Sequence, residues 1–232
     1  MTALSRSINA ASKRRQSLAA GLGYTATKRA LDVVLSLVII VAAAPLLATL
    51  WLLVWRSSPG PGLFRQERLG RGKRRFPMLK LRTMYTDTSD QVHREFVASL
   101  AAESQAPATG PRGLYKLETD PRVTPLGAWL RRTSLDELPQ LFNVLRGEMS
   151  LVGPRPALPW EAEVWPSAYP AYSCRFEVKP GITGLWQVSG RGKLTAEESI
   201  RLDAEYVRRR SIILDLVILA STLPAVLRGG TA

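Results

Sequence analysis

Two adjacent carboxylates, Asp136 and Glu137, sit inside the run Thr133-Ser134-Leu135-Asp136-Glu137-Leu138-Pro139-Gln140. An ionised carboxylate can attack phosphorus, and such a pair can hold a divalent cation that offsets the charge of phosphate groups. The same run has a plain structural reading. Ser134 and Glu137 fit the S-x-x-E capping box, and Pro139 is tolerated near a helix start. Both acids then fall in a first turn, where unpaired N–H groups and the helix dipole favour negative charge. Spacing leaves both readings open, and they are compatible.

Cations surround this pair in the sequence. Arg131 and Arg132 precede it, Arg155 stands between two prolines in Gly153-Pro154-Arg155-Pro156, and Arg191 lies in Gly190-Arg191-Gly192-Lys193. Strand alternation puts Lys80 and Arg82 on one face and Leu79 and Leu81 on the other. Arginine forks suit phosphate oxygens, and a diphosphate needs several cations. Taken singly, each of these reads first as a solvated surface charge. The single histidine, His93, reads as a surface helix residue, and the single cysteine, Cys174, as packed. One of each is too few for a zinc site built from them, and no intrachain disulfide can form.

The elements that must position these groups begin with an apolar run. No charged residue occurs from Val33 to Trp55, long enough to cross a bilayer at about 20 residues per crossing. It starts too late and is too long for a cleaved leader. Pro45, near its middle, removes a helix hydrogen bond to Val41. Basic residues crowd both flanks: Lys28 and Arg29 before it, Arg56, Arg65, Arg68 and Arg71 after it. The positive-inside rule assigns both flanks to the cytoplasm, which one spanning helix cannot satisfy. A helix that enters, bends at Ala44-Pro45 and returns can, with arms of roughly 15–18 Å at 1.5 Å per residue. Trp51 and Trp55, one turn apart, suit the headgroup level.

The 232 residues allow one domain with a core, and 46% hydrophobic content excludes wholesale disorder. A net charge of +13 implies an anionic partner. Residues 1–27 read as a flexible basic tail, 28–56 as the re-entrant membrane helix and 57–232 as a catalytic domain, with 28–232 one functional unit. The expected fold is helix-rich α+β. Leu63–Arg68 and Phe76–Arg82 form a hairpin around Gly70-Arg71-Gly72 after a turn at Ser58–Gly62. Helices are expected over Ser89–Ala102 and Glu197–Arg209 and through Leu138, Leu141, Phe142 and Leu145, with a loop at Ser104–Gly113. The last apolar run, Ile212–Leu227, is short for a crossing and suits a helix lying on the membrane or against the core.

Several stretches resemble the catalytic domain of the bacterial sugar transferases, the monotopic phosphoglycosyl transferases. They are Lys28-Arg29-Ala30-Leu31-Asp32, Phe64–Gly70, Lys80-Leu81-Arg82-Thr83-Met84, Asp120-Pro121-Arg122-Val123-Thr124, Leu135–Pro156 and Lys179–Arg191. The resemblance runs from about residue 28 to the C-terminus. It implies transfer of a sugar phosphate from a UDP-sugar to polyprenyl phosphate with release of UMP, as a first membrane step of glycan assembly. It further implies Mg²⁺ held by Asp136, Asp136 as nucleophile with Glu137 as its partner, and an active site on the cytoplasmic face of the bacterial inner membrane. Arg191 matches a phosphate-binding arginine of the family. Arg155, Lys80, Arg82, Arg132 and Gln187 are the further candidates for substrate binding. Ala44-Pro45 replaces the family's frequent Ser-Pro, Leu81 a usual Phe, and Leu185-Trp186 a common Trp-Ala.

Two rivals need only part of this pattern. A non-enzymatic basic module on anionic membrane lipids explains the charge and the apolar run but not Asp-Glu beside Arg-Arg. Nucleic-acid binding needs basic charge and aromatics, and the apolar run counts against it. The sugar, the glycan pathway and any homo-oligomer are not specified by these residues.

Overall fold

A computed structural model describes residues 3–86, 120–190 and 194–227, with side chains from residue 23 onward. The helix and loop expected at Ser89–Ala102 and Ser104–Gly113, His93, and Arg191 lie outside the described residues.

The chain opens with one long helix, α1 (Ala3–Ser57). Residues 3–27, expected to be loose, continue this same helix. They are rich in Ala, with several Leu and Arg, all good helix formers, and contain no proline. The helix runs through Pro45, beside which the Thr49 hydroxyl donates to Pro45 O (2.9 Å). Its segment from Gly23 to Ser57 has a mean hydropathy of 2.7 in its most apolar stretch, long and apolar enough to cross a membrane. Val34, Val38, Val41, Leu52 and Leu53 are exposed on it, so it is not a core helix of the domain. Trp51 and Trp55 stack with ring centroids 6.4 Å apart.

This segment docks onto the rest of the molecule through its first half, as far as Ile40, and again at its far end. At the start, Asp32 and Ser36 are buried, and at the far end Leu50 and Val54. Arg29 donates to Val144 O and Leu145 O, and Asp32 accepts from the Leu151 N–H (3.0 Å). Lys28 pairs with Asp215 at 2.8 Å. These flank charges therefore bind protein rather than standing free.

The antiparallel hairpin β1 (Leu63–Leu69) and β2 (Arg75–Leu81) forms where alternation placed it, with Leu63 opposite Leu81 and Gln66 opposite Met78. Gly72 (φ 65°) takes the left-handed conformation its turn requires. Leu79 and Leu81 are buried on one face, and Phe76 and Met78 on the other face are buried too. The strand is covered on both sides, which brings Lys80 indoors.

Two helices follow, α2 (Pro125–Thr133) and α3 (Gln140–Arg146), then strand β3 (Ser150–Val152). Next come α4 (Glu161–Ala168), a 3₁₀ segment (Pro170–Glu177) and β4 (Gly181–Thr183), which pairs in parallel with β3. Helices α5 (Leu185–Gly190), α6 (Ala196–Arg209) and α7 (Ile212–Leu227) complete the chain. The architecture is helix-rich α+β with two small sheets. The largest cluster of buried apolar residues joins Phe76, Met78, Leu141, Val144, Leu151 and Tyr206, with Cys174 packed against it. A second gathers Trp165, Tyr172, Phe176 and Ile200 between α4, the 3₁₀ segment and α6. A third joins Leu50 and Val54 of α1 to Leu81 and Leu130.

Candidate active site

The two acids reach the site on a single 3₁₀ turn, Leu135–Glu137, between α2 and α3. Ser134 ends α2 in the left-handed conformation (φ 58°) and makes no side-chain cap bond, so it is no capping-box serine. A residue held there cannot also present the extended backbone of a helix N-cap. The capping box with this spacing is instead Thr195 with Glu198, where both reciprocal bonds form at the start of α6. Pro139 stands just ahead of α3, as a proline near a helix start should. Asp136 and Glu137 thus precede the helix rather than occupying its first turn.

Asn143, on α3 and fully buried, sets what lies opposite. Its Oδ1 accepts from the Leu79 N–H (3.0 Å), while Nδ2 donates to Pro77 O (2.8 Å) and to Glu148 Oε2 (2.6 Å). These bonds pin β2 to α3. Lys80, the next residue along, then meets the acids: its Nζ lies 3.0 Å from Glu137 Oε1 and 4.0 Å from Asp136 Oδ2. Asp136 is buried, and Lys80 and Glu137 are half-buried.

Beside this cluster opens a pocket of about 230 Å³ lined by Arg68, Lys80, Glu137, Gln140, Arg155 and Gln187. Three of these carry positive charge and one negative. Burial pushes the Arg68 guanidinium down to about 10, and nearby Arg155 adds to the effect.

Of the residues singled out in the sequence, Lys80, Glu137, Arg155 and Gln187 line this one pocket. Gln187 Nε2 donates to Ile182 O (3.1 Å), which orients its amide. Arg82 does not join them. Its guanidinium is buried and donates to the carbonyls of Val54, Ser58 and Pro59, closing the end of α1. Alternation ends with β2 at Leu81, so Arg82 no longer follows Lys80. Arg132 is exposed and does not line the pocket. Consecutive helical residues differ by about 100° in direction, and Arg131 takes the inward position. Arg131 Nε donates to Thr83 Oγ1 (2.8 Å). Its burial lowers the guanidinium pKa, against the opposing pull of nearby Asp136. Ala44 and Pro45 lie on the exposed stretch of α1.

Arg68, Gln140 and Asn143 were not among the sequence candidates, and Arg131 was noted only as a cation next to the acid pair. Arg68 and Gln66 share a face of β1 by the two-residue repeat, but nothing local says that face is inside. Among the described residues no group of three or more His, Cys, Asp or Glu side chains could hold a metal. Mg²⁺ asks for less, commonly one or two carboxylates completed by substrate phosphates and water, and Asp136 with Glu137 fits that donor set.

The family model described as bacterial sugar transferase matches residues 23–229. The chain is 42% identical over 201 residues to an undecaprenyl-phosphate galactose phosphotransferase of Salmonella typhimurium, covering 87% of this chain and 40% of that protein. It is 41% identical over 200 residues to the exopolysaccharide production protein ExoY of Sinorhizobium fredii, covering 86% and 85%. A UDP-glucose:undecaprenyl-phosphate glucose-1-phosphate transferase of Caulobacter vibrioides is 41% identical over 205 residues, covering 86% and 69%. The chain thus spans well under half the length of the Salmonella relative and most of the length of ExoY.

Proposed function

This chain belongs to the bacterial sugar transferase family, and from that premise we propose that it transfers a sugar phosphate from a UDP-sugar to polyprenyl phosphate. The observation that carries the reading is the buried Asp136 beside Glu137, with Lys80 against both and a cation-rich pocket alongside. An Asp136 Oδ atom attacks the β-phosphorus of the UDP-sugar. The bond from that phosphorus to the bridging oxygen breaks, and UMP leaves with the bridging oxygen. The sugar phosphate is left as an acyl phosphate on Asp136. An oxygen of polyprenyl phosphate then attacks the same phosphorus, frees the carboxylate and yields the lipid diphosphate sugar. Lys80 lies against both acids and holds Glu137 in place. Arg155, with Arg191 from the family resemblance, binds the charge on the phosphates. Mg²⁺ held by Asp136 and Glu137 would supply further charge neutralisation.

We place the protein in the bacterial inner membrane with a re-entrant α1 and the site at the cytoplasmic face, among anionic lipids. Support comes from the docking of both ends of the apolar segment on one domain: Arg29 on Val144 and Leu145, Val54 on Arg82. A spanning helix would carry one of these ends across the bilayer, away from the domain it touches. A bend at Ala44-Pro45 is favoured by the proline and by the Thr49 hydroxyl bonded back to Pro45 O.

Release of UMP by the detergent-solubilised protein, over a panel of UDP-sugars with polyprenyl phosphate, tests the activity. With radiolabelled UDP-sugar and no lipid acceptor, label should remain on the protein. Absence of UMP release across the panel would sink the reading. For topology, single cysteines at Thr27 and Ser57, both exposed positions, in a Cys174→Ser background should resist an impermeant thiol reagent in intact cells and label once cells are opened. Labelling of the Thr27 position from outside would mean a spanning helix.

A further inference from the structure

Arg68 has no part in the scheme above, yet it is buried (5% exposed) in the wall of the same pocket. Its guanidinium is held rigidly. Gln66 Oε1 accepts from Nε (3.2 Å) and Nη2 (2.7 Å), and Pro156 O accepts from Nη1 (3.0 Å). These bonds occupy three of its five N–H donors, and every acceptor is a neutral oxygen. Among the described residues no carboxylate oxygen lies within 4.0 Å of it. A buried charge without a counter-ion is costly, and arginine does not readily escape by losing its proton. The other buried arginines are placed differently. Arg175 pairs with Asp203, and Arg82, which also meets only neutral oxygens, closes the end of α1 and does not line the pocket. Arg68 instead shares its pocket with two more cations, Lys80 and Arg155, and with one carboxylate, Glu137, which lies against Lys80, so the wall keeps an excess of positive charge. The bond to Pro156 O, with the neighbouring Leu69 N–H donating to Ala157 O (2.8 Å), also ties β1 to the Pro-Arg-Pro segment that carries Arg155.

We infer that Arg68 is a substrate-binding residue whose remaining N–H donors take a phosphate oxygen of the nucleotide sugar's diphosphate, and whose grip on Pro156 O aims Arg155 at the same anion. The inference rests on the phosphoglycosyl transfer reading. It places one end of the diphosphate deep between β1 and the Pro-Arg-Pro segment, while the carboxylates approach from the 3₁₀ turn.

The test uses the full chain in detergent, with Arg68→Gln and Arg68→Lys, and UDP as the probe in calorimetry. Arg68→Gln should weaken UDP binding about tenfold or more and raise KM for the UDP-sugar by a similar factor. KM for polyprenyl phosphate and the melting temperature should stay close to wild type. Arg68→Lys should recover part of the loss, because it restores charge without the fork. Unchanged UDP binding in Arg68→Gln overturns the proposal. So does thermal collapse of both variants, since the residue would then serve the fold. If only the Gln variant collapses, Lys decides: wild-type UDP affinity there overturns the proposal, and weakened affinity with native melting supports it. A wild type that releases no UMP defeats the transfer reading instead, and UDP binding still decides Arg68.

Discussion

Arg68 and Arg175 are almost equally buried, at 5% and 7% exposure, and sit in opposite electrostatic settings. Arg175, under α4 and α6, forms an ion pair with Asp203 and lies over the Tyr172 ring at 4.0 Å. Its surroundings are apolar: Trp165, Phe176 and Ile200. Arg68 meets only neutral oxygens and faces a pocket with two other cations. One region pairs its charges one to one, and the other sets three cations of the pocket wall against the single carboxylate of Glu137. Burial by itself therefore does not separate structural from functional arginines. A matched anion marks Arg175 as structural, and a place in the pocket wall separates Arg68 from Arg82, which is as buried among neutral carbonyls but closes α1.

If the pocket region is the catalytic one, changes there should remove turnover and spare the fold. Asp136→Asn has the largest expected effect: UMP release should fall by roughly 10⁴-fold or more, with unchanged melting temperature and no retained label. Glu137→Gln should also be severely impaired. Substantial turnover in Asp136→Asn would break the comparison at its strongest point.

The paired region should behave the other way. Arg175→Met leaves Asp203 buried without its partner and should cost about 3–5 kcal/mol of stability. At temperatures where the variant remains folded, UMP release per folded molecule should match wild type. A specific loss of kcat with full stability would show that this pair serves the reaction.

Arg191→Ala should cost about 1.5–3 kcal/mol in kcat/KM, roughly 10- to 150-fold, with membrane association unchanged. Lysine should rescue only part of this. Full activity in Arg191→Ala would remove that residue from the phosphate site.

The smallest effect concerns pH. Burial pushes the Asp203 carboxyl up to about 6 from an ordinary 3.8, against the pull of Arg175. Between those values the folded chain holds a proton that the unfolded chain has lost. The stability this contributes is full below about pH 4 and is lost as pH rises through 6. Asp203→Asn should flatten the difference in melting temperature between pH 4.5 and 7, while the pH dependence of UMP release stays as in wild type.

Much of the molecule could be read in one dimension. The apolar run, the hairpin and the final two helices depend on local periodicity and turn chemistry, and α6 and α7 form almost where the pattern puts them. The acid pair and Arg155 stood out because their neighbours, Pro139 and the Pro-Arg-Pro frame, restrict the backbone. The identity of the partners did not follow from such patterns. Lys80 and Arg82 are alike in sequence, yet Asn143 pins β2 so that Lys80 meets Glu137, whereas Arg82 turns back to close α1. Arg131 and Arg132 are neighbours, and the packing of α2 decides which one looks inward. The capping-box pattern occurs at both Ser134 and Thr195, and only at Thr195 does the backbone allow it. The basic flank at Lys28 and Arg29 signalled membrane orientation by charge count, while the folded chain shows those groups bound to Asp215 and to the carbonyl end of α3. Sequence determined which segments are helical, extended or apolar, because those preferences act over a few residues. Tertiary structure decided which charges are paired within the protein and which line the pocket, because that depends on groups brought together from distant parts of the chain.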